Sequence, residues 1–192
     1  VVSQLKVNEI VQQSGSNLTL GGSGDNIVLG SGATTSFGKI GQVVSTTKTD
    51  YFDGASTSYV DITGMTATIT PTSTSSKVLV NIFLNLSHHS SGKFGFIKLQ
   101  RNSTDVCVGD AAGSRDQVTT GRYSAYGPNG FGMNICFVDS PSTTSACVYK
   151  LVGRASSGTF SVNRDGDDSD SSNRMRSAST FTVMEVLPWP VS

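Results

Sequence analysis

The stretch Lys77-Val78-Leu79-Val80-Asn81-Ile82-Phe83-Leu84-Asn85-Leu86-Ser87 decides the fold. Successive side chains of a strand point to opposite faces, so Val78, Val80, Ile82, Leu84 and Leu86 share one face. The other face carries Lys77, Asn81, Asn85 and Ser87. The same period places Val60 and Ile62, then Met65, Ala67 and Ile69 beyond a turn at Gly64, on an inner face. Met133, Ile135 and Phe137 repeat it, as do Phe181 and Val183. Further strands are expected over 42–52, 93–101, 104–108, 146–153 and 158–163. Turn signals separate them at Pro71-Thr72-Ser73, Ser90-Ser91-Gly92, Asp139-Ser140-Pro141-Ser142 and Ser156-Ser157-Gly158. Eight to ten short strands with this spacing, and no convincing helical period, predict an all-β, jelly-roll-like sandwich over residues 41–192. The prolines of Leu187-Pro188-Trp189-Pro190 end the last strand.

Composition agrees with that class. Hydrophobic residues make up 36% and charged residues 15% of the 192. Ser, Thr, Gly and Asn fill the difference and suit strands with many turns rather than helices. Lys plus Arg and Asp plus Glu are both 14, so the chain is formally neutral. Such a chain lacks the basic footprint of a nucleic-acid binder, and no apolar run is long enough for membrane insertion. The N-terminus has no continuous apolar region of the kind a secretory signal needs. The three cysteines, Cys107, Cys136 and Cys147, are an odd number and rule out a fully paired intrachain framework. A hairpin centred on Pro141-Ser142 would set Cys136 opposite Cys147.

Residues 1–40 have another character. Asn17-Leu18-Thr19-Leu20-Gly21-Gly22-Ser23-Gly24-Asp25 is followed by Asn26-Ile27-Val28-Leu29-Gly30-Ser31-Gly32-Ala33-Thr34. Two copies of one nine-residue unit expose apolar side chains that neither can bury alone. Several chains wound together would bury Leu18, Leu20, Ile27 and Leu29, which predicts an oligomeric shaft; a flexible Gly/Ser linker is the plainer alternative. The preceding Leu5, Val7 and Ile10 belong to the same docking and oligomer segment.

No catalytic or metal constellation is expected. Gly-x-Ser-x-Gly, His-Glu-x-x-His and P-loop motifs are missing, and Glu occurs only at Glu9 and Glu185. A pair of distant Asp residues is the one remaining route to glycosidase chemistry. His88 and His89 are adjacent on a strand end, hence on opposite faces, and are poorly placed to share a metal; a three-fold assembly could form a ring of one histidine per chain, but the favoured reading is two polar residues at a loop. Asp165-Gly166-Asp167-Asp168-Ser169-Asp170 offers hard oxygen ligands, yet Arg164, Arg174 and Arg176 flank it, which favours a salt-linked loop over a calcium site. No cofactor is expected. The segment Asp110–Asn129, with Arg115, Asp116, Arg122, Tyr123 and Tyr126, reads as a long loop for either recognition or oligomer packing.

Beyond these readings, several segments resemble the small fibre and appendage proteins of tailed bacteriophages, notably marine ones. They are Gln4-Leu5-Lys6-Val7-Asn8-Glu9-Ile10, the Gly-Ser-Gly-Asp repeat, Gly41-Gln42-Val43-Val44 and Tyr59-Val60-Asp61-Ile62-Thr63-Gly64-Met65. Ile69-Thr70-Pro71-Thr72-Ser73-Thr74-Ser75-Ser76-Lys77-Val78-Leu79-Val80, Asp139-Ser140-Pro141-Ser142-Thr143-Thr144 and Val162-Asn163-Arg164 follow the same pattern. The resemblance implies a homotrimeric virion fibre, assembled in the bacterial cytoplasm. Residues 1–16 would dock to another virion protein, 17–40 would form an intertwined shaft, and the C-terminal head would meet a host glycan or protein. His88, His89, Arg115, Arg122, Tyr123, Tyr126, Asp167 and Asp170 are the expected receptor contacts. A capsid fibre or decoration protein, and a polysaccharide-degrading tailspike, are the rival readings.

Overall fold

A computed structural model describes residues 40–125 and 129–187. The chain divides into two compact units, 1–35 and 36–192, and every described residue belongs to the second. The shaft and docking residues Leu5, Val7, Ile10, Leu18, Leu20, Ile27 and Leu29, and the loop residue Tyr126, lie outside the described residues.

The described residues form eleven strands and no helix: β1 (Ile40–Lys48), β2 (Phe52–Gly54), β3 (Val60–Ile69), β4 (Lys77–His88), β5 (Lys93–Arg101), β6 (Thr104–Val106), β7 (Thr120–Ser124), β8 (Phe131–Asp139), β9 (Cys147–Ala155), β10 (Phe160–Val162) and β11 (Ser179–Val186). They pair into two antiparallel sheets. The first runs β1-β11-β4-β10-β2, with β8 also on β4; the second runs β3-β9-β5-β6, with β7 also on β5. β11 and β8 pair with the same residues of β4, Val78–Phe83, and so flank it on opposite sides. The four long strands of the first sheet therefore lie in the order β1-β11-β4-β8.

The apolar set of β4 explains the sandwich. Val78, Val80, Ile82, Leu84 and Leu86 are fully buried and join Phe181 and Val183 of β11. The opposing sheet contributes Met65, Ala67, Ile69, Ile97, Leu99, Tyr149 and Leu151 to the same cluster. Each buried Val, Leu, Ile, Phe or Met among them stabilises the fold by about 1.5–3 kcal/mol relative to exposure. At one end Phe160, also fully buried, fills a hollow made by three glycines. A Cβ at Gly54, Gly95 or Gly153 would lie 2.2, 3.3 or 2.6 Å from Phe160 atoms.

The other end is held by polar chemistry that joins the sheets. Tyr149 of β9 is fully buried and donates its hydroxyl to Asp139 Oδ2 at the end of β8, at 2.7 Å. Arg101 of β5 reaches the same oxygen at 2.5 Å, and the Ser140 backbone N–H donates to Asp139 Oδ1 at 2.8 Å. Burial, reinforced by the neighbouring carboxylate, pushes the Tyr149 phenol far above its ordinary range, so it stays a donor. A second inward carboxylate, Glu185 of β11, accepts the Thr72 N–H at 2.6 Å and its hydroxyl at 2.7 Å.

Three expectations need correction. Gly64 is not a turn between two strands: β3 runs through it, and the register jumps from Asp61↔Val152 to Thr66↔Lys150. A left-handed Gly64 (φ +82°) makes the bulge and returns Met65 to the core face. The segment 110–129 is not all loop, because Thr120–Ser124 pairs with β5 as β7. Cys136 and Cys147 do not face each other across a hairpin: β8 and β9 belong to different sheets, so the 140–146 connection crosses the sandwich. Cys136 is exposed, Cys147 is buried, and both are free thiols.

Candidate binding face

The outer face of the second sheet follows from the alternation of β5. Gly95, Ile97 and Leu99 point inward and are buried, which turns Phe94, Phe96, Lys98 and Gln100 outward. Pairing sets Tyr123 of β7 opposite Phe94 and Arg154 of β9 opposite Phe96. The Phe94 and Phe96 rings stack at 5.4 Å with 6° between planes, and Tyr123 leans on Phe94 at 4.7 Å. Phe94 remains 42% and Tyr123 51% exposed, so two aromatic faces meet solvent side by side. The Arg154 guanidinium lies 4.4 Å from the Phe96 centroid and 5.7 Å from Tyr59, and Lys98 Nζ stands 4.6 Å from Tyr59. At about 3.3 Å per residue, the six steps from Phe94 to Gln100 span about 20 Å.

Every cation of this face has a carboxylate. Arg154 Nε donates to Asp116 Oδ2 at 2.6 Å, and the Tyr59 hydroxyl donates to the same oxygen at 3.1 Å. Lys98 pairs with Asp105 at 2.6 Å and Lys150 with Asp61 at 2.7 Å. Gln100 also donates to Asp105, at 2.8 Å. Burial and Asp116 push the Tyr59 phenol up to about 12, so it keeps its proton in ordinary buffers. Asp116 thereby fastens the 107–119 loop to the sheet. Beyond Lys150 the β3 bulge opens a hollow of about 560 Å³ on the same face, lined in part by Asp61, Thr63, Thr66, Asn102, Val148 and Lys150. Aromatic planes, hydroxyls and paired charges suit a neutral ligand that is both apolar and hydrogen-bonding. They offer no unpaired row of cations for a polyanion.

The expected contact residues divide between two places. Tyr123 is on this face. Arg115 is exposed in the 107–119 loop and donates to the Ala112 carbonyl at 3.2 Å. Arg122, on the same strand as Tyr123 but turned the other way, lies 5.2 Å from the Phe131 ring. His88 is only 1% exposed; Nδ1 accepts the Ser90 N–H at 3.0 Å and Nε2 lies 2.9 Å from the Ser157 carbonyl. Burial depresses its pKa, against the opposing pull of those backbone contacts. Its neutral ring is a core strut with no surface to offer a receptor.

His89 joins the acidic loop instead. Its Nε2 is 2.6 Å from Ser161 Oγ and 3.7 Å from Asp53 Oδ1. The Ser161 hydroxyl, fully buried, gives its hydrogen to Asp53 at 2.6 Å, which leaves it no proton to pass to the histidine as a nucleophile would. Arg164 forks onto Asp53 through Nε at 3.0 Å and Nη2 at 2.5 Å, and meets Asp168 at 2.8 Å. Burial pushes the Asp53 carboxyl up, but hydrogen bonds from Ser161 and Arg164 outweigh it and hold the group below its ordinary range. Arg176 takes Asp168 at 2.5 Å and Arg174 takes Asp167 at 2.7 Å. Asp165 accepts the Gly130 N–H at 2.8 Å and the Met175 N–H at 3.3 Å. Asp170 lines a separate polar hollow of about 310 Å³ with Asp168, Arg174 and Arg176. The loop is salt-linked. Among the described residues no three His, Cys, Asp or Glu side chains converge as a metal-ligand set.

Reasoning from sequence singled out Asp116 in the loop but missed Tyr59, Phe94, Phe96, Lys98 and Arg154 as its neighbours on the sheet. Its available signal was the outward register of Phe94-x-Phe96-x-Lys98, fixed once Ile97 and Leu99 are placed inside. No protein-family model matches the chain, and no curated protein matches it.

Proposed function

We propose that this chain is a structural protein of a bacteriophage virion, a homotrimeric tail fibre or appendage. Its head, residues 41–192, grips a neutral glycan of the host surface with the outer face of the second sheet. The exposed Tyr123–Phe94 pair carries this reading. Sugar rings present apolar C–H faces that stack on aromatic planes, while their hydroxyls need the mixed donors and acceptors that Lys98, Gln100, Lys150 and Asn102 supply beside them. The strand orders β1-β11-β4-β8 and β3-β9-β5-β7 support a jelly-roll head. Residues 1–16 dock the fibre to the particle and 17–40 form its shaft. Several heads on one shaft turn weak single-site contacts into avidity.

The test is binding of the full-length chain to purified host-surface polysaccharide by calorimetry, alongside Tyr123→Ala and Phe94→Ala. Each substitution is expected to weaken binding about tenfold, equivalent to ~1.4 kcal/mol, with an unchanged melting temperature. Wild-type affinity in both variants overturns the face assignment. A wild-type chain that binds no host surface overturns the receptor role and favours a capsid decoration protein. Release of reducing ends from the polysaccharide favours a tailspike.

A further inference from the structure

The opposite side of the sandwich is chemically different. Four strands of the first sheet set twelve outward side chains in three rows: Val43–Met184–Leu79–Val138, Ser45–Thr182–Asn81–Cys136 and Thr47–Thr180–Phe83–Asn134. Eight of the twelve are exposed, the other four (Leu79, Thr180, Thr182 and Met184) are half-buried, and none carries a charge. The first row is wholly apolar, and Phe83 adds an aromatic ring that is 45% exposed. On the ligand face, by contrast, Lys98, Lys150, Arg154, Asp61, Asp105 and Asp116 all stand within one patch.

The border of this grid is equally unguarded. β8 pairs with β4 through nine consecutive residues, Phe131–Asp139, without a register shift. Its outer edge has no described backbone partner. The strand has no Lys, Arg, Glu or Pro, and its one charge, Asp139, is buried under Arg101 and Tyr149. Natural edges are blunted by charge, proline, bulges or brevity. Such devices mark three of the other borders: β1 has a bulge between Ile40 and Val43, β3 has the Gly64 bulge, and β6 is three residues long.

We propose that the outer face of the first sheet, with the β8 edge, is the surface on which a second copy of this chain docks. Charge selects that occupant. An ionic partner would find nothing to pair with, whereas a neighbouring copy, which turns out the same uncharged face and edge, brings no like charge against it. Ser45, Thr47, Asn81, Asn134, Thr180 and Thr182 each both donate and accept, so the face can satisfy its own polar groups, and the core of self-assembling interfaces is depleted of charge. This inference rests on the homotrimer part of the proposed function but not on the ligand reading, because it uses the other sheet; a multimer with a freely labelled Cys136 would sink it alone.

Cys136 is the reporter, since it lies in the middle row, while Cys107 is exposed elsewhere. The full-length chain is labelled with a maleimide at assembly concentration, beside Asn81→Lys and Val138→Lys, which put a cation into the grid at exposed positions. The wild type is expected to label at Cys136 at least tenfold more slowly than either variant, with Cys107 labelling equally in all three and solution mass showing the wild type multimeric. Near-ultraviolet dichroism matching the wild type establishes that the variants fold. A monomeric wild type overturns the proposal. So does a multimer whose Cys136 labels as fast as in the variants, because its chains then meet elsewhere. Polysaccharide binding per head should be unchanged in both variants, which separates failure here from failure of the ligand face.

Discussion

Replacing Tyr149 by Phe removes one oxygen from the buried end of the bridge between the sheets and nothing else. That oxygen donates to Asp139 Oδ2 at 2.7 Å. A hydrogen bond to a charged group contributes about 1.5–3 kcal/mol net. The carboxylate keeps Arg101 and the Ser140 N–H, so it is not left bare, and Phe fills the space without a cavity. The loss should therefore sit at the low end, ~1.5 kcal/mol. For a chain of this length that lowers the melting temperature by about 3–6 °C. Asp139→Ala should cost more, about 2–4 kcal/mol, because it leaves a buried phenolic hydroxyl without its acceptor and Arg101 without its partner. Urea unfolding of Tyr149→Phe, Asp139→Ala and the double variant measures both values. The double variant should be less destabilised than the sum of the singles, since both remove the same bond. Strict additivity, or a Tyr149→Phe chain as stable as wild type, would refute the idea that this bond ties the sheets together.

Two further outcomes follow from the same core. His88 has a folded pKa below its ordinary 6.5, so the unfolded chain takes the proton first, and the stability present above pH 6.5 is lost as pH falls through the folded value. Denaturant midpoints from pH 7.5 to 5 should show this slope in wild type and a shallower one in His88→Asn; parallel slopes would remove His88 as its source. Gly54→Ala places a methyl 2.2 Å from the Phe160 ring and should cost about 1–3 kcal/mol by overpacking, read as a lower urea midpoint with an unchanged slope.

The long strands were legible because one face of each is buried and the other wet. β4 and β5 declare their register through Val78 to Leu86 and through Ile97 and Leu99. β7 was not legible, because Thr120-Gly121-Arg122-Tyr123-Ser124 has no apolar alternation: its inward Arg122 is only half-buried and Gly121 lies close to the β5 backbone. The Gly64 bulge was read as a turn because local chemistry, a left-handed glycine between two apolar pairs, is the same for both. Only the pairing of β3 with β9 on each side of it tells them apart. His88 continues the inward alternation of β4, but its polar partners were not legible, since the ring is held by the Ser90 N–H and by the carbonyl of Ser157, 69 residues away.

The expected loop contacts read differently once their electrostatics are known. Loops usually carry binding residues because a rigid scaffold frees their side chains. Here the charged loop residues are spent internally: Asp167 on Arg174, Asp168 on Arg164 and Arg176, and Asp116 on Arg154 and Tyr59. The larger unengaged surfaces are on the sheets. One sheet turns out paired charges and open aromatic planes, and the other turns out twelve uncharged side chains beside an unguarded edge. On the two proposals above, outer faces that differ this much serve two tasks. The charged and aromatic face can discriminate a polar ligand, because each of its cations is already held in place and costs little to order on binding. The uncharged face cannot discriminate an ionic ligand, but it can lie against the uncharged surfaces of another copy without a charge penalty. If both assignments hold, substitutions on the two faces act independently: Tyr123→Ala lowers affinity without changing mass, and Asn81→Lys exposes Cys136 without changing affinity per head.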